Sequence, residues 1–333
     1  MVDYGHLETE TLLKDLERRI YGVYRQAAKE TQEKLDDYMR RFRVKDQFKR
    51  KQLEAGEITE EYYKYWLKGQ ILIGKRWEEM RNTLAQDMTN ANKIAIEMVS
   101  GDMPQAYALN HDYATFQVEK DALVDTSYTL FDRDTVERLI ADNPDILPMP
   151  SVDIPKDLRW NRQKIQSHLT QAILQGEDIT QIAKRMLTIA EMNQVSAFRA
   201  ARTSITAAQN SGRIDGYKRC QKLGIKLKKQ WIATLDGRTR HEHRQLDGQS
   251  VPIDKPFTVD GYEIDFPADP HAEAFLVYNC RCTLIADIDG VEQGAIDDLT
   301  MRNVDHMEDG SYQAWKDARK PNKRRAKFDN PAY

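Results

Sequence analysis

The chain has 333 residues, of which 40% are hydrophobic and 31% charged, and its 50 basic and 53 acidic side chains leave a net charge of -3. At about 150 residues per domain, that length makes two or three packed units, and the near balance of charge excludes a surface that grips nucleic acid over the whole molecule. Three cysteines, Cys220, Cys280 and Cys282, are too few for a disulfide framework and suit a reducing compartment. No apolar run reaches the roughly 18 residues that cross a bilayer. Met1–Glu10 is acidic and polar and lacks the pattern of a secretory leader, so neither export nor stable membrane insertion is expected. Mean hydropathy is -0.72, which fits long helices with wide solvated faces.

Leu12, Leu13, Leu16, Ile20 and Val23 recur at three- and four-residue steps and predict a helix that continues through Tyr24, Ala28, Leu35 and Tyr38. Gly56 breaks it. Thr59 followed by Glu60 and Glu61 marks a second start, because a hydroxyl and early carboxylates satisfy the first amides and oppose the positive helix end. The pattern Tyr62, Tyr65, Trp66, Ile71, Ile73, Trp77, Met80, Leu84 and Met88 then predicts the second of two long helices, ending near Gly101. Asp134-Thr-Val-Glu137 has the form of a capping box opening a short helix. Pro144, Pro148, Pro150 and Pro155 exclude regular structure over 143–156.

Helical spacing resumes with Ile165, Leu169, Ala172 and Ile173 and stops at Gly176. Asp178-Ile-Thr-Gln181 reads as another capping box, and a longer helix is expected over about 192–222, closed by Gly224. From Ile225 the period changes to two: Trp231, Ala233 and Leu235 alternate with polar neighbours, and so do Cys280, Cys282, Leu284 and Ala286, which predicts strands. Glycines and prolines break up the interval. Lys226, Lys228 and Lys229 are expected to face solvent on a strand edge. The expected fold class is α-rich, α+β, with long N-terminal helices, a helical middle and a small C-terminal β-containing module. The expected division is 1–142, a helical region; 143–156, a Pro-rich linker; 157–224, helical; 225–290, the α+β module; and 291–333, a tail that is partly flexible and basic.

The densest cluster of unusual residues runs from Trp231 to Cys282. It holds Asp236-Gly-Arg-Thr-Arg240, His241-Glu-His243, Leu246-Asp-Gly248, Phe266-Pro267, His271 and Asn279-Cys-Arg-Cys282. Imidazole and thiolate suit zinc, and a small module with a thin core gains folding free energy from a structural ion. Cys280 and Cys282 on one strand face, with His243 or His241 and with His271, would supply four ligands. The Cys-x-Cys spacing is tighter than the usual zinc pattern. The other reading is therefore that both thiols are small buried apolar groups, that His243 caps a loop and that Asp236 pairs with Arg240. A second chemical reading makes His243 the general base of a metal-dependent nuclease or hydrolase.

The ordered set Arg202-Thr-Ser-Ile-Thr-Ala-Ala-Gln-Asn-Ser-Gly-Arg213, Trp231, Asp236 to Arg240, His243, Asp247-Gly248, Phe266-Pro267 and Asn279-Cys-Arg-Cys282 resembles the head-morphogenesis family of tailed phages, the minor capsid proteins similar to the F protein of phage Mu. The likeness covers about residues 160–290, so 157–224 would be the helical part of that domain. Trp231, Asp236, Arg240, Asp247 and Gly248 would be its structural motif. Ser204 stands where many relatives carry Glu. The resemblance implies a non-enzymatic virion component inside the shell near the portal vertex, present in the host cytoplasm during assembly. Its implied partners are the portal protein and capsid or scaffolding protein, and it implies a role in procapsid assembly and DNA ejection.

Two basic patches bear on double-stranded DNA. Arg40, Arg41, Arg43, Lys45, Lys49, Arg50 and Lys51 lie among Tyr38, Phe42 and Phe48, and read either as a phosphate- or portal-contacting face or as an ordinary solvated one. Lys316, Arg319, Lys320, Lys323, Arg324, Arg325 and Lys327 make the tail the better candidate for nonspecific DNA contact, flexible until bound. The aromatic stripe Tyr62, Tyr65, Trp66 and Trp77 is expected to be helix-packing core.

Overall fold

The apolar stripe that begins the chain folds into one helix of 51 residues, α1 (Tyr4–Glu54). A computed structural model describes residues 3–72, 75–175, 177, 179–291 and 311–320, and over these the protein is α-rich with a small β part. Gly56, at φ 73°, ends α1 in a left-handed turn. Its amide donates to the Leu53 carbonyl and the Glu57 amide to the Gln52 carbonyl, which satisfies the last helical acceptors. Thr59 then caps α2 (Glu60–Leu72), its Oγ1 accepting the Tyr62 amide at 3.1 Å.

α3 (Lys75–Ala122) does not stop near Gly101; it continues through Gly101 and Pro104. Met103, Ala106, Tyr107, Tyr113, Ala114 and Val118 are all buried, and that packing outweighs one missing helical hydrogen bond at the proline. α4 (Arg133–Asp142) is capped by Asp132 instead of Asp134. The Asp132 backbone is extended, which lets its carboxylate accept the Thr135 amide at 2.8 Å, and Glu137 pairs with Arg133 at 2.6 Å. A single 3-10 turn, Pro144–Ile146, precedes α5 (Ile154–Leu174), which uses Pro155 in its first turn and Asp153 as its cap. α6 (Ile179–Lys222) is one helix of 44 residues, so the helix expected from about 192 begins earlier. Gly176, Asp178 and Ile73 lie outside the described residues.

The chain divides into two compact units, one of residues 15–98 and 150–199, the other of 1–14, 99–149 and 200–333. The first is helical. Leu35, Phe42, Leu84, Ile165, Leu169, Met186 and Ile189 form its core. A polar chain also runs through it: Tyr24 donates to Asn92 (2.7 Å), Asn92 to Asn193 (2.9 Å), Asn193 to Asn161 (3.0 Å) and Asn161 to Thr89 (3.1 Å). Each amide that leaves water finds a partner, which fixes the register of the four helix segments. The expected aromatic stripe is split: Trp66 packs against this core, whereas Tyr62 and Tyr65 are exposed and the neighbouring Tyr63 is buried instead, donating to Asp46.

The second unit holds the β structure. β1 (Ile225–Ile232) lies between β2 (Ser250–Pro252) and β5 (Thr283–Val291) in an antiparallel sheet. β3 (Phe257–Val259) and β4 (Tyr262–Ile264) form a hairpin, with Asp260 and Gly261 both at positive φ in a two-residue turn. Two short helices, α7 (His241–Leu246) and α8 (Ala274–Val277), complete the module. Trp231, Leu246, Phe257, Ile264, Leu276, Cys280 and Leu284 share its core with Ala114, Val118 and Tyr217 of the long helices. α3 and α6 approach closely within this unit: a Cβ on Gly212 would run into the Tyr107 carbonyl oxygen.

β1 is central and not an edge, and Lys229 is buried instead of solvated. The alternation Ile225, Leu227, Lys229, Trp231 puts all four on the core face. The Lys229 ammonium donates to the Asp265 carbonyl at 2.8 Å and lies 5.3 Å from the centre of the Phe257 ring. Burial lowers its pKa from 10.5 to about 8, against the pull of Asp265.

The tail is a helix where it is described. α9 (Tyr312–Arg319) is capped by Ser311 and buries Tyr312 and Trp315 against Tyr113, Phe116 and Tyr128. The Trp315 indole donates to the buried Glu119 carboxylate at 2.6 Å, and Arg319 pairs with Glu119 (2.7 Å) and Asp125 (3.1 Å).

The Lys229 geometry gives a pH signature. Between pH 8 and 10.5 the unfolded chain holds a proton that the folded chain has released, so this group's contribution to stability rises with pH in that window and is flat below it. Urea unfolding of the wild type and of Lys229→Met should show the wild type gaining about 1–3 kcal/mol relative to the variant from pH 7 to pH 10.5. A difference independent of pH would contradict the buried position.

Candidate functional site

The polar residues of α6 repeat at steps of three and four, which places Thr203, Thr206, Asn210 and Arg213 on one helix face. That face meets the backbone of the segment leading into β5. Thr203 Oγ1 accepts the Asn279 amide (2.9 Å), and Thr206 Oγ1 donates to the Cys280 carbonyl (3.0 Å). Asn210 donates to the carbonyls of Cys282 (3.3 Å) and Pro267 (3.2 Å), and Arg213 to that of Leu284 (2.5 Å). Gln209 adds a bond to the Thr283 hydroxyl at 2.6 Å, and Thr234, after β1, donates to the Arg281 carbonyl at 2.6 Å. Successive backbone polar groups of the 279–284 segment, those of the buried Cys280, Cys282 and Leu284 among them, are thus paired from outside it.

Arg213 is itself fully buried. It makes two 2.7 Å bonds to the Asp3 carboxylate and one of 3.0 Å to Asn110. Burial works against the Asp3 charge, but the Arg213 charge and hydrogen bonds outweigh it and hold the carboxyl below its usual range. This pair therefore contributes stability above pH 3.8, and that contribution is lost as pH falls through the lowered value.

Asn279 takes the left-handed conformation at φ 57°, which asparagine tolerates well, and turns the chain so that the next residues run extended. Cys280 and Cys282 precede β5 and are not in it, yet their two-residue spacing still aims both thiols the same way. They meet His243 of α7, whose Nδ1 lies 3.3 Å from Cys282 Sγ and 3.8 Å from Cys280 Sγ. The other ring nitrogen, Nε2, is 2.9 Å from the Leu276 carbonyl oxygen. A carbonyl only accepts, so Nε2 carries the proton and Nδ1 presents its lone pair to the thiols. All three residues are buried. The hydrogen bond from Cys280 lowers the Cys282 thiol to about 5 against the effect of burial, while burial pushes Cys280 well up. Trp231 stands edge-on to the imidazole, with ring centres 5.7 Å apart.

The remaining motif residues build the wall around this group. Asp236 takes two bonds from Arg281, at 2.5 and 2.7 Å, and not from Arg240, whose guanidinium donates to the Tyr278 carbonyl. Arg281 and the Arg238 amide hold the Asp236 carboxyl well below the usual carboxylate range. Asp247 accepts the Ala233 amide at 2.8 Å, and Gly248, at φ 78°, returns its amide to the Trp231 carbonyl at 2.8 Å. A cavity of about 120 Å3 opens on His243, Cys280 and Cys282 and is rimmed by Arg202, Arg238, Arg240 and Arg281.

The structure brings together three of the four residues expected to bind metal. His271 is exposed and lies outside the group, its amide turned to Asp269; His241 is also exposed, beside Gln245. Both ring nitrogens of His243 are engaged, which does not suit a general base reaching for water. Of the tail residues expected to meet DNA, Arg319 pairs with the buried Glu119 and with Asp125, Lys316 lies over the Tyr312 ring, and Lys320 forms an exposed pair with Asp317 at 2.6 Å. Lys323, Arg324, Arg325 and Lys327 lie outside the described residues. What sequence reasoning missed is the role of Thr203, Thr206, Gln209 and Asn210, whose only signal was a polar stripe inside an otherwise apolar helix.

This helix-to-thiol arrangement falls in a segment with a family assignment. Residues 163–285 match the family described as phage Mu protein F like protein. The chain is 26% identical over 277 residues to the minor head protein GP7 of Bacillus phage SPP1, a match covering 79% of this chain and 87% of that protein. It is also 31% identical over 153 residues to the NAD(+)--arginine ADP-ribosyltransferase EFV of Enterococcus faecalis (strain ATCC 700802 / V583). That match covers 46% of this chain but only 31% of the enterococcal protein. No solved structure matches the chain significantly.

The α6 bonds can be removed without changing side-chain size much. Thr206→Val and Asn210→Leu should each cost about 1–3 kcal/mol in urea unfolding, because each leaves a buried carbonyl without its donor. Costs below about 0.5 kcal/mol, the level of ordinary surface changes, would mean that these bonds do not hold the segment.

Proposed function

We propose that the protein is a minor head protein of a tailed phage, a virion component that acts in head morphogenesis, with a Mu F-like domain as its anchoring scaffold. The observation that carries this reading is the match to the SPP1 minor head protein over most of both chains, joined to the family assignment of residues 163–285. The finer reading is docking at the portal vertex on the inner side of the shell during procapsid assembly in the host cytoplasm, with capsid or scaffolding protein as further contacts. Passage into the host with DNA would follow from that location.

The α1–α2 end of the helical unit supports the docking part. Val44, Phe48, Tyr62 and Tyr65 are exposed there, Tyr65 at 76% of its surface. Arg40, Arg41, Arg43, Lys45 and Lys51 are exposed on the same stretch of α1. Apolar and aromatic groups among cations suit an acidic protein surface, and the same cations suit phosphates. No described helix is long and apolar enough to cross a membrane.

The test is particle composition. Procapsids and virions made by the phage or prophage that encodes the chain should contain it in low copy, and the double variant Phe48→Glu/Tyr65→Glu should be incorporated roughly tenfold less at unchanged melting temperature, as for loss of interface anchors. Absence of the wild-type protein from both particle types would overturn the reading. Normal incorporation of the variant would move the docking surface elsewhere.

A further inference from the structure

The geometry points to a transition-metal site, zinc by its ligand chemistry, formed by His243 Nδ1, Cys280 Sγ and Cys282 Sγ, with the fourth coordination position taken by a small anion or water from the arginine-rimmed cavity. Imidazole nitrogen with two thiolates is a zinc-type donor set. A tetrahedral ion with bonds of about 2.3 Å to sulfur and about 2.0 Å to nitrogen separates its ligands by roughly 3.5–3.8 Å. The two nitrogen–sulfur distances here are 3.3 and 3.8 Å, and all three donor atoms lie within 4.8 Å of one another.

The surroundings fit a ligand role for each group. The Leu276 carbonyl fixes the His243 tautomer that leaves Nδ1 able to coordinate, as an outer hydrogen bond does for most metal-bound histidines. The Cys280 and Cys282 carbonyls are held by Thr206 and Asn210 on α6, so the thiols are positioned before any ion arrives.

The fourth ligand has to come from elsewhere. Among the described residues no further His, Cys, Asp or Glu joins the three, and the neighbouring carboxylates are taken, Asp236 by Arg281 and Glu10 by Arg202. Two thiolates neutralise a divalent ion; Arg281 and Arg238 share Asp236 and Arg202 meets Glu10, so it is Arg240, held by the Tyr278 carbonyl, whose charge favours a negative fourth ligand.

The site is testable without reference to phage biology. Full-length protein made in zinc-supplemented medium and purified reduced and chelator-free should carry about one zinc per chain by elemental analysis. Cys280→Ser, Cys282→Ser and His243→Gln should each lose zinc to a competing chromophoric chelator at least roughly tenfold more readily, while His271→Ala keeps wild-type retention. Should the ligand variants fail to fold, the wild type decides: its cobalt form should show thiolate-to-cobalt charge transfer and visible bands that shift on adding acetate. Zinc-free protein with no cobalt spectrum, or zinc lost in His271→Ala, would overturn the three-ligand site. A cobalt spectrum unmoved by saturating acetate would overturn the open fourth position.

Discussion

The module near the carboxyl end depends on a row of hydrogen bonds from one helix to one extended strand of backbone. Residues 279–282 lie outside the strands of the sheet, yet Cys280 and Cys282 are packed into a core where an unpartnered carbonyl would cost about 1–3 kcal/mol. α6 supplies the missing partners from Thr203, Thr206, Asn210 and Arg213, and Thr234 supplies one more. Because the donors sit on a long helix, the positions of the carbonyls are set by helical geometry, and with them the direction of the two thiols. Arg213 ties the same helix to Asp3 and Asn110, so the start of α1 and the middle of α3 are held to the same feature.

This arrangement explains why a scattered set of residues reads as one motif. Arg202 to Arg213 and Asn279 to Cys282 lie far apart in the chain, but they are the two sides of a single contact. Trp231, Asp247 and Gly248 close the end of β1 over His243, and Asp236 with Arg281 clamps the following loop. Many of the motif residues hold backbone in place, and those around His243, Cys280 and Cys282 also line one small cavity. The match to the enterococcal transferase spans only 31% of that protein's length.

Much of the architecture was legible because the local signals were unambiguous. Gly56 and Thr59 mark the α1–α2 break, Gly224 ends α6, and the change to period two announces β1 and β5. The misses have definite physical causes. Gly101 looks like a stop, but burial on several sides of α3 overrides local preference there and at Pro104. Lys229 was assigned to solvent by its charge, although its place in the Ile225, Leu227, Trp231 alternation put it on the core face; Phe257 and the Asp265 carbonyl, which make that tolerable, are distant in sequence. The tail's basic composition concealed Tyr312 and Trp315, three residues apart, and the partner of Arg319 is 200 residues away at Glu119. Spacing alone could not separate His243 from His271, since the choice rests on how α7 packs beneath Trp231.

Amide hydrogen exchange over the segment 279–286 tests the central claim most directly. In a Thr206→Val/Asn210→Leu double variant those amides should exchange much faster than in the wild type, while the helical amides of residues 165–172, in the other unit, keep their rates. Uniform acceleration across the whole chain, or unchanged protection at 279–286, would contradict the view that this face of α6 is what holds the segment in place.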